Sequence, residues 1–173
     1  MADSQPTGGA DANAVDPQQS QQPPLVLNVQ YVKDLSFENP GSPQSLSALS
    51  PPPQIAVDVN VETHPIQDRT YEVVLQLRAS AKRDETTFFL AELSYGGVVT
   101  VGAQVPQEHL GPLIAIEGPR MLFPFARAVI ADCVRDGGFP PLLINPIDFA
   151  QMYRHMLQRR QQEQQGQQPT SQA

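Results

Sequence analysis

The stretch Asp84–Gly97, DETTFFLAELSYGG, decides the fold. Read as a strand, it sends alternate side chains to opposite sides. Thr87, Phe89, Ala91, Leu93 and Tyr95 then share one face, almost purely apolar and suited to a core. Thr86, Phe88, Leu90, Glu92 and Ser94 share the other, where large apolar groups flank a carboxylate. A mixed face of that kind suits a surface covered only when a partner arrives. An ordinary strand beside an oligomer interface would read the same way.

Three more strands lie upstream. Leu25, Leu27, Val29 and Tyr31 alternate with Val26, Asn28, Gln30 and Val32, and the pattern can run on through Asp34 to Glu38. Ile55, Val57, Val59 and Val61 alternate with Ala56, Asp58, Asn60 and Glu62. Tyr71, Val73, Leu75, Leu77 and Ala79 alternate with Glu72, Val74, Gln76, Arg78 and Ser80. Period-two alternation with one apolar face predicts an antiparallel sheet with one side on a core. The first connection, Asn39–Gln54, holds five prolines in sixteen residues and is too long for a hairpin turn, so it predicts a surface crossover. THPIQDR joins the second and third strands, and a tight KRDE turn joins the third and fourth.

Helices follow. VVTVGAQVPQEHLGPLIAIEG predicts a strand end and then a short helix. Leu122, Phe125, Ala126, Val129, Ile130, Cys133 and Val134 form one apolar stripe of a firmer helix. Pro124 begins or kinks it, and Gly137–Gly138 stop it. FPPLLINP, residues 139–146, predicts an extended loop pressed against the body. Asn145 as cap and Pro146 in the first turn start a last helix, whose stripe is Phe149, Met152, Tyr153, Met156 and Leu157. Methionine adapts to irregular neighbours, so such a stripe serves either as core or as the lining of a permissive groove. Strands first and helices afterwards is an α+β pattern.

Composition narrows the function. At 173 residues the chain has room for one domain. Residues 1–23, rich in Gln and Pro, and 159–173, rich in Gln, are expected to be disordered tails around a folded part at 24–158. A net charge of −7 argues against nucleic acid and favours a basic partner surface. The only lysines, Lys33 and Lys82, lie outside any phosphate loop, and the chain has neither a Gly-Lys dipeptide nor GxGxxG. One cysteine, Cys133, fits a reducing cytosol. No basic, apolar signal segment and no membrane-length apolar run occur, so a cytoplasmic protein is expected. His64, His109 and His155 match no metal spacing, and GxSxG is absent. The expectation is therefore no enzyme, no cofactor and no metal. A hydrolase pairing Cys133 with a histidine is the remaining enzymatic reading, and an unchanged Cys133→Ser variant would remove it. Within the stripe, Cys133 reads as a small buried hydrophobe.

Asp34 and Glu38, with Ser36 between them, share a strand face. If the first and fourth strands both turn their polar faces outward, Asp34, Glu38, Leu90 and Glu92 form an acidic patch with an apolar centre. That patch suits a basic, partly apolar partner. The plainer alternative is solvated sheet charge that keeps edges from aggregating.

The blocks YVKDLSFENP (31–40), YEVVLQLRASAKRDETTFFLAELSYGG (71–97) and MLFPFARAVIADCVRDGGFPPLLINPIDF (121–149) together resemble the bacterial SecB protein-export chaperones. The resemblance covers essentially all of 24–158, in order. It implies a four-stranded antiparallel Greek-key sheet with two main helices packed on one face, and a homotetramer built as a dimer of dimers. It also implies an ATP-independent chaperone that keeps precursor proteins unfolded in the cytosol and delivers them to SecA, the motor of the Sec translocase. Asp34, Glu38, Leu90 and Glu92 match the family's SecA-docking positions. The family's client groove, between the crossover loop and the last helix, points to residues 39–54 and to Phe149, Met152, Tyr153 and Met156. The crossover of this chain lacks the tryptophan often found in the family, which implies a different client preference. A SecB-like chaperone dedicated to a toxin–antitoxin pair is the alternative within the same fold.

Overall fold

The computed structural model of the chain describes residues 23–47 and 49–166. The expected disorder at 1–22 and 167–173 falls outside the described residues. Four strands, β1 (Leu25–Glu38), β2 (Gln54–Gln67), β3 (Thr70–Arg83) and β4 (Thr86–Val101), make one antiparallel sheet in the order β1-β4-β3-β2. Three strands run as successive hairpins and β1 lies beside the last of them, which is a Greek-key arrangement. The crossover carries one helical turn, α1 (Gln44–Ser47), and two long helices follow, α2 (Gln107–Asp136) and α3 (Phe149–Gly166).

Both hairpins are tighter than the composition suggests. Gln67 pairs with Thr70, so the turn is Asp68–Arg69 and most of THPIQDR belongs to β2. Arg69 adopts φ +52 and Asp84, in the second hairpin, φ +53, a region costly to most side chains. Arg69 is held there by donating to the Gly102 carbonyl at 2.8 Å and the Val105 carbonyl at 3.0 Å, which ties the hairpin to the entry of α2.

Alternation in β4 holds for Phe89, Ala91, Leu93 and Tyr95, all buried. Phe88 departs from it. The β3–β4 register slips between Ala81 and Lys82, so Phe89 opposes Ala81 while Thr87 opposes Lys82. Phe88 sits in that bulge, 1% exposed, with the Arg83 guanidinium 4.8 Å from its ring centre.

The expected short helix and its successor are one helix of 30 residues, which continues past Pro112, Pro119 and Pro124. Interior prolines cost on the order of 3 kcal/mol each. Burial outweighs them: Leu110, Ile114, Gly118, Leu122, Ala126, Ile130 and Val134 recur at every fourth position and are buried together. Two glycines set the helix–sheet distance. A Cβ on Gly118 would lie 2.8 Å from Val73, and one on Gly97 would lie 2.6 Å from Leu122. Phe125, assigned to the stripe by sequence, is 49% exposed instead, because the buried stripe follows the i+4 row.

At its C-terminus α2 ends where Gly137 N–H donates to the Cys133 carbonyl and Gly138 takes φ +90. The crossover fastens here. Asn39 donates to the Gly137 carbonyl at 3.4 Å, Ser45 Oγ donates to Asn39 Oδ1 at 2.9 Å, and Leu46 packs beside Gly138.

The last helix starts later than Asn145–Pro146 suggest. Asp148 is the cap, its Oδ1 accepting from the Gln151 N–H at 2.9 Å. It also runs further, through residues 159–166 that composition assigned to the tail, because Arg, Gln and Glu are good helix formers. Only α2 packs squarely on the sheet; α3 packs on α2, anchored by an edge-to-face contact of Phe149 with Phe123 at 5.9 Å. The expectation of two main helices packed on one face is corrected in that α3 lies on the same side of the sheet but packs on α2 and not on the strands. Past Leu157, α3 has little apolar surface with which to reach a sheet.

Candidate functional site

The sheet face away from α2 carries three adjacent cross-strand rows. Taken from β1 through β4 and β3 to β2, they are Asp34–Ser94–Gln76–Asn60, Ser36–Glu92–Arg78–Asp58 and Glu38–Leu90–Ser80–Ala56. Residues paired across a sheet share a face and stand close together. Asp34, Glu38, Leu90 and Glu92 therefore meet on one surface, as expected if both strands turn outward. The twist of the sheet leaves a shallow depression of about 350 Å³ there, lined by Asp34, Asp58, Asn60, Gln76, Arg78, Glu92 and Ser94. Arg78 is its cation, with Nη1 3.3 Å from Glu92 Oε1, and both side chains are about half exposed.

Further along the same face, Tyr31 of β1 lies across β4 over Gly96, where a Cβ would come within 2.7 Å of the ring. Its hydroxyl donates to Glu72 of β3, and Lys33 Nζ donates to both Glu72 oxygens at 2.8 and 2.9 Å. Lys33, and after it Tyr31, holds the Glu72 carboxyl below the usual carboxylate range. The hydrogen bond it donates to Glu72, partial burial and the Glu72 charge push Tyr31 up to about 12. This network ties β1 to β3 across β4, beside the acidic rows.

A second feature lies on the α2 side. An open cleft of about 690 Å³ separates β2 from α3. Val59, Val61 and Thr63 form one wall, Met152, Tyr153, Met156 and Leu157 the other, and Gly111 and Ala115 of α2 the floor. A Cβ at Gly111 would touch nothing within 4 Å, so the floor stays open. Glu62, His64, Arg159, Arg160 and Glu163 rim it. Three of the four groove residues expected from sequence are here. Phe149 is not: at 1% exposed it is core, inserted against Phe123. Nor does any described residue of the 39–54 crossover line this cleft, because that segment is fastened at the far end of α2.

Chemistry finds little purchase. Burial, with Asp136 adding, pushes the Cys133 thiol up, away from a reactive thiolate. His64 and His109 sit near Glu62 and Glu108, not near Cys133. Among the described residues no group of three or more His, Cys, Asp or Glu side chains could hold a metal ion. No described helix is long and apolar enough to cross a membrane.

The family model described as preprotein translocase subunit SecB matches residues 18–161. The chain belongs to the SecB family. Relatives of this family carry the name protein-export protein SecB. That of Bradyrhizobium sp. is 46% identical over 149 residues, covering 86% of this chain and 91% of its own. That of Mesorhizobium japonicum is 48% identical with 90% of each chain covered, and that of Sinorhizobium medicae 54% with 78% and 80% covered. Among solved structures, the fold is similar to a SecB-like chaperone of Mycobacterium tuberculosis in complex with an antitoxin peptide. The TM-score there is 0.58 at 12% identity, over 71% of this chain and 90% of that one.

Sequence reasoning missed several parts of these SecB surfaces. Arg78 looked like one more polar strand residue, although its i±2 neighbours Gln76 and Ser80 already marked the outward face. The Tyr31–Glu72 bridge had a signal in Gly96, a glycine within a strand, which often marks a close approach. Nothing in the alternation of β2 told that α3 would stand opposite it.

Proposed function

We propose that this protein is an ATP-independent export chaperone that holds precursor polypeptides unfolded in the cytoplasm and passes them to SecA. Membership in the SecB family carries this reading. Its two surfaces supply a physical mechanism. The cleft offers apolar and methionine side chains along an open trough, which an extended chain can occupy and a folded one cannot. Many shallow contacts favour the unfolded client because folding hides the segments that bind, and holding follows by mass action without nucleotide. Met152, Tyr153 and Met156 are the client-facing residues we assign.

On the opposite face, Asp34, Glu38 and Glu92 around Leu90 present negative charge with an apolar centre to a basic segment of SecA. We further propose a dimer of dimers. Along β1, whose outer edge no described strand covers, Val29, Val32 and Leu35 are exposed; so is Phe125 on α2. Such surfaces are ordinarily covered by another subunit. The toxin–antitoxin reading has less behind it, since the chain shares 46% identity or more with export proteins and 12% with the antitoxin-bound chaperone.

One experiment tests the whole. Light scattering on the purified protein, alone and with a chemically unfolded precursor, is combined with SecA capture by wild type and Glu92→Lys. A tetramer that binds the unfolded chain without nucleotide, and loses SecA on charge reversal alone, supports the reading. A monomer indifferent to unfolded chains overturns it.

A further inference from the structure

Arg78 occupies a position in the docking face that the family reading does not assign. It stands in the middle row, directly opposite Glu92 on β4 and directly opposite Asp58 on β2. One cation thus lies between two carboxylates in an exposed, shallow depression. It is paired with Glu92 at 3.3 Å, while Asp58 has no ion pair among the described residues. Both acids and Arg78 line the same depression, and the Arg78 side chain is 59% exposed. An extended arginine on a strand can swing by a rotamer change between cross-strand neighbours on its two sides.

We propose that Arg78 is the built-in occupant of Glu92 and sets the specificity of the docking face, ceding Glu92 to the cation of a basic partner and moving to Asp58. The inference rests on the docking reading above and adds its selectivity. A partner must present a cation that competes with an arginine already in place, so a generally basic surface gains less than a segment whose charge falls at Glu92. Asp58 lowers the cost of that exchange, because the displaced guanidinium finds a second carboxylate instead of meeting the incoming cation. An exposed pair of this kind is worth up to about fivefold in an equilibrium constant.

The test measures SecA affinity of the full-length protein at fixed ionic strength for wild type, Arg78→Gln, Asp58→Asn, the double variant, Lys82→Gln and Glu92→Lys. Arg78→Gln is expected to tighten binding by about two- to fivefold. Lys82→Gln, which removes an exposed charge of the same strand that is not paired with Glu92, is expected to change it by less than half as much. Asp58→Asn is expected to weaken binding when Arg78 is present and to have little effect when it is absent. Equal gains from Arg78→Gln and Lys82→Gln would mean a general charge effect and would overturn the proposal. So would additive effects at 58 and 78, or weaker binding by Arg78→Gln. If Glu92→Lys still binds SecA like wild type, the docking reading itself fails. Thermal melting checks that each variant folds; at 59% exposure, loss of the Arg78 side chain leaves no cavity.

Discussion

Tyr31 hydrogen-bonds Glu72 from two strands away, over the bare backbone of Gly96. The bridge exists because the strand between them has no side chain there. Gly96→Ala is therefore expected to push the ring off Glu72 and to destabilise the fold by about 1–3 kcal/mol. Tyr31→Phe, which keeps the ring and loses only the hydroxyl, should cost about 1 kcal/mol. Urea unfolding of both variants checks the order; an Ala at 96 milder than the Phe at 31 would contradict the close approach.

The same bridge has a pH signature with two ends. Glu72 is held below its ordinary range, so its contribution is full above the unfolded carboxylate pKa and is lost as pH falls through the lowered value. Tyr31 is raised, so its contribution is full below its ordinary value of 10 and is lost as pH rises through about 12. Spectroscopic titration of the tyrosines should show one phenolate forming near 12 that vanishes in Tyr31→Phe. The stability difference between that variant and wild type should shrink in acid.

Phe149 and Met156 sit on one helix stripe but do different work. Phe149→Ala is expected to cost about 3–5 kcal/mol of stability, the price of a buried aromatic cavity. Met156→Glu should leave the melting temperature within a few degrees and weaken binding of an unfolded precursor by about tenfold, since it places a charge in the trough. Calorimetry and fluorescence titration on the pair separate the two roles.

Arg69 carries the junction between the first hairpin and α2. Arg69→Ala removes two charge-assisted hydrogen bonds to Gly102 and Val105 and should destabilise by about 2–3 kcal/mol. Hydrogen exchange should show faster opening of the first turn of α2 than in wild type. Protection unchanged there would mean that the clamp holds nothing.

Period-two alternation made the four strands and the outward set Asp34, Glu38, Leu90 and Glu92 legible, because side-chain facing is a local property of a strand. That β1 lies beside β4 is not local; the family resemblance supplied it. The long α2 was illegible because Pro112, Pro119 and Pro124 argue for breaks, and only the buried row of every fourth residue, a tertiary fact, overrides them. Phe149 was misassigned for a related reason. Helical spacing places it in line with Met152 and Met156 but cannot say that the first turn of α3 dips into the core while the next turns stand clear of the sheet. Likewise the crossover, rich in proline, gave away its length but not that Asn39 would fasten it to the end of α2.

Strand β2 is one residue thick. Val59 and Val61 oppose the buried Leu77 and Leu75 on the cleft side, while Asp58 and Asn60, their immediate neighbours in sequence, oppose Arg78 and Gln76 on the reverse side. A polypeptide lying in the trough and a protein seated on the acidic rows would grip alternate residues of the same strand from opposite sides. Neither would need to leave before the other arrived, so transfer can pass through a ternary complex. The alternation also forbids independent tinkering: deleting a single residue within β2 would exchange the two linings, putting aspartate in the trough and valine on the reverse.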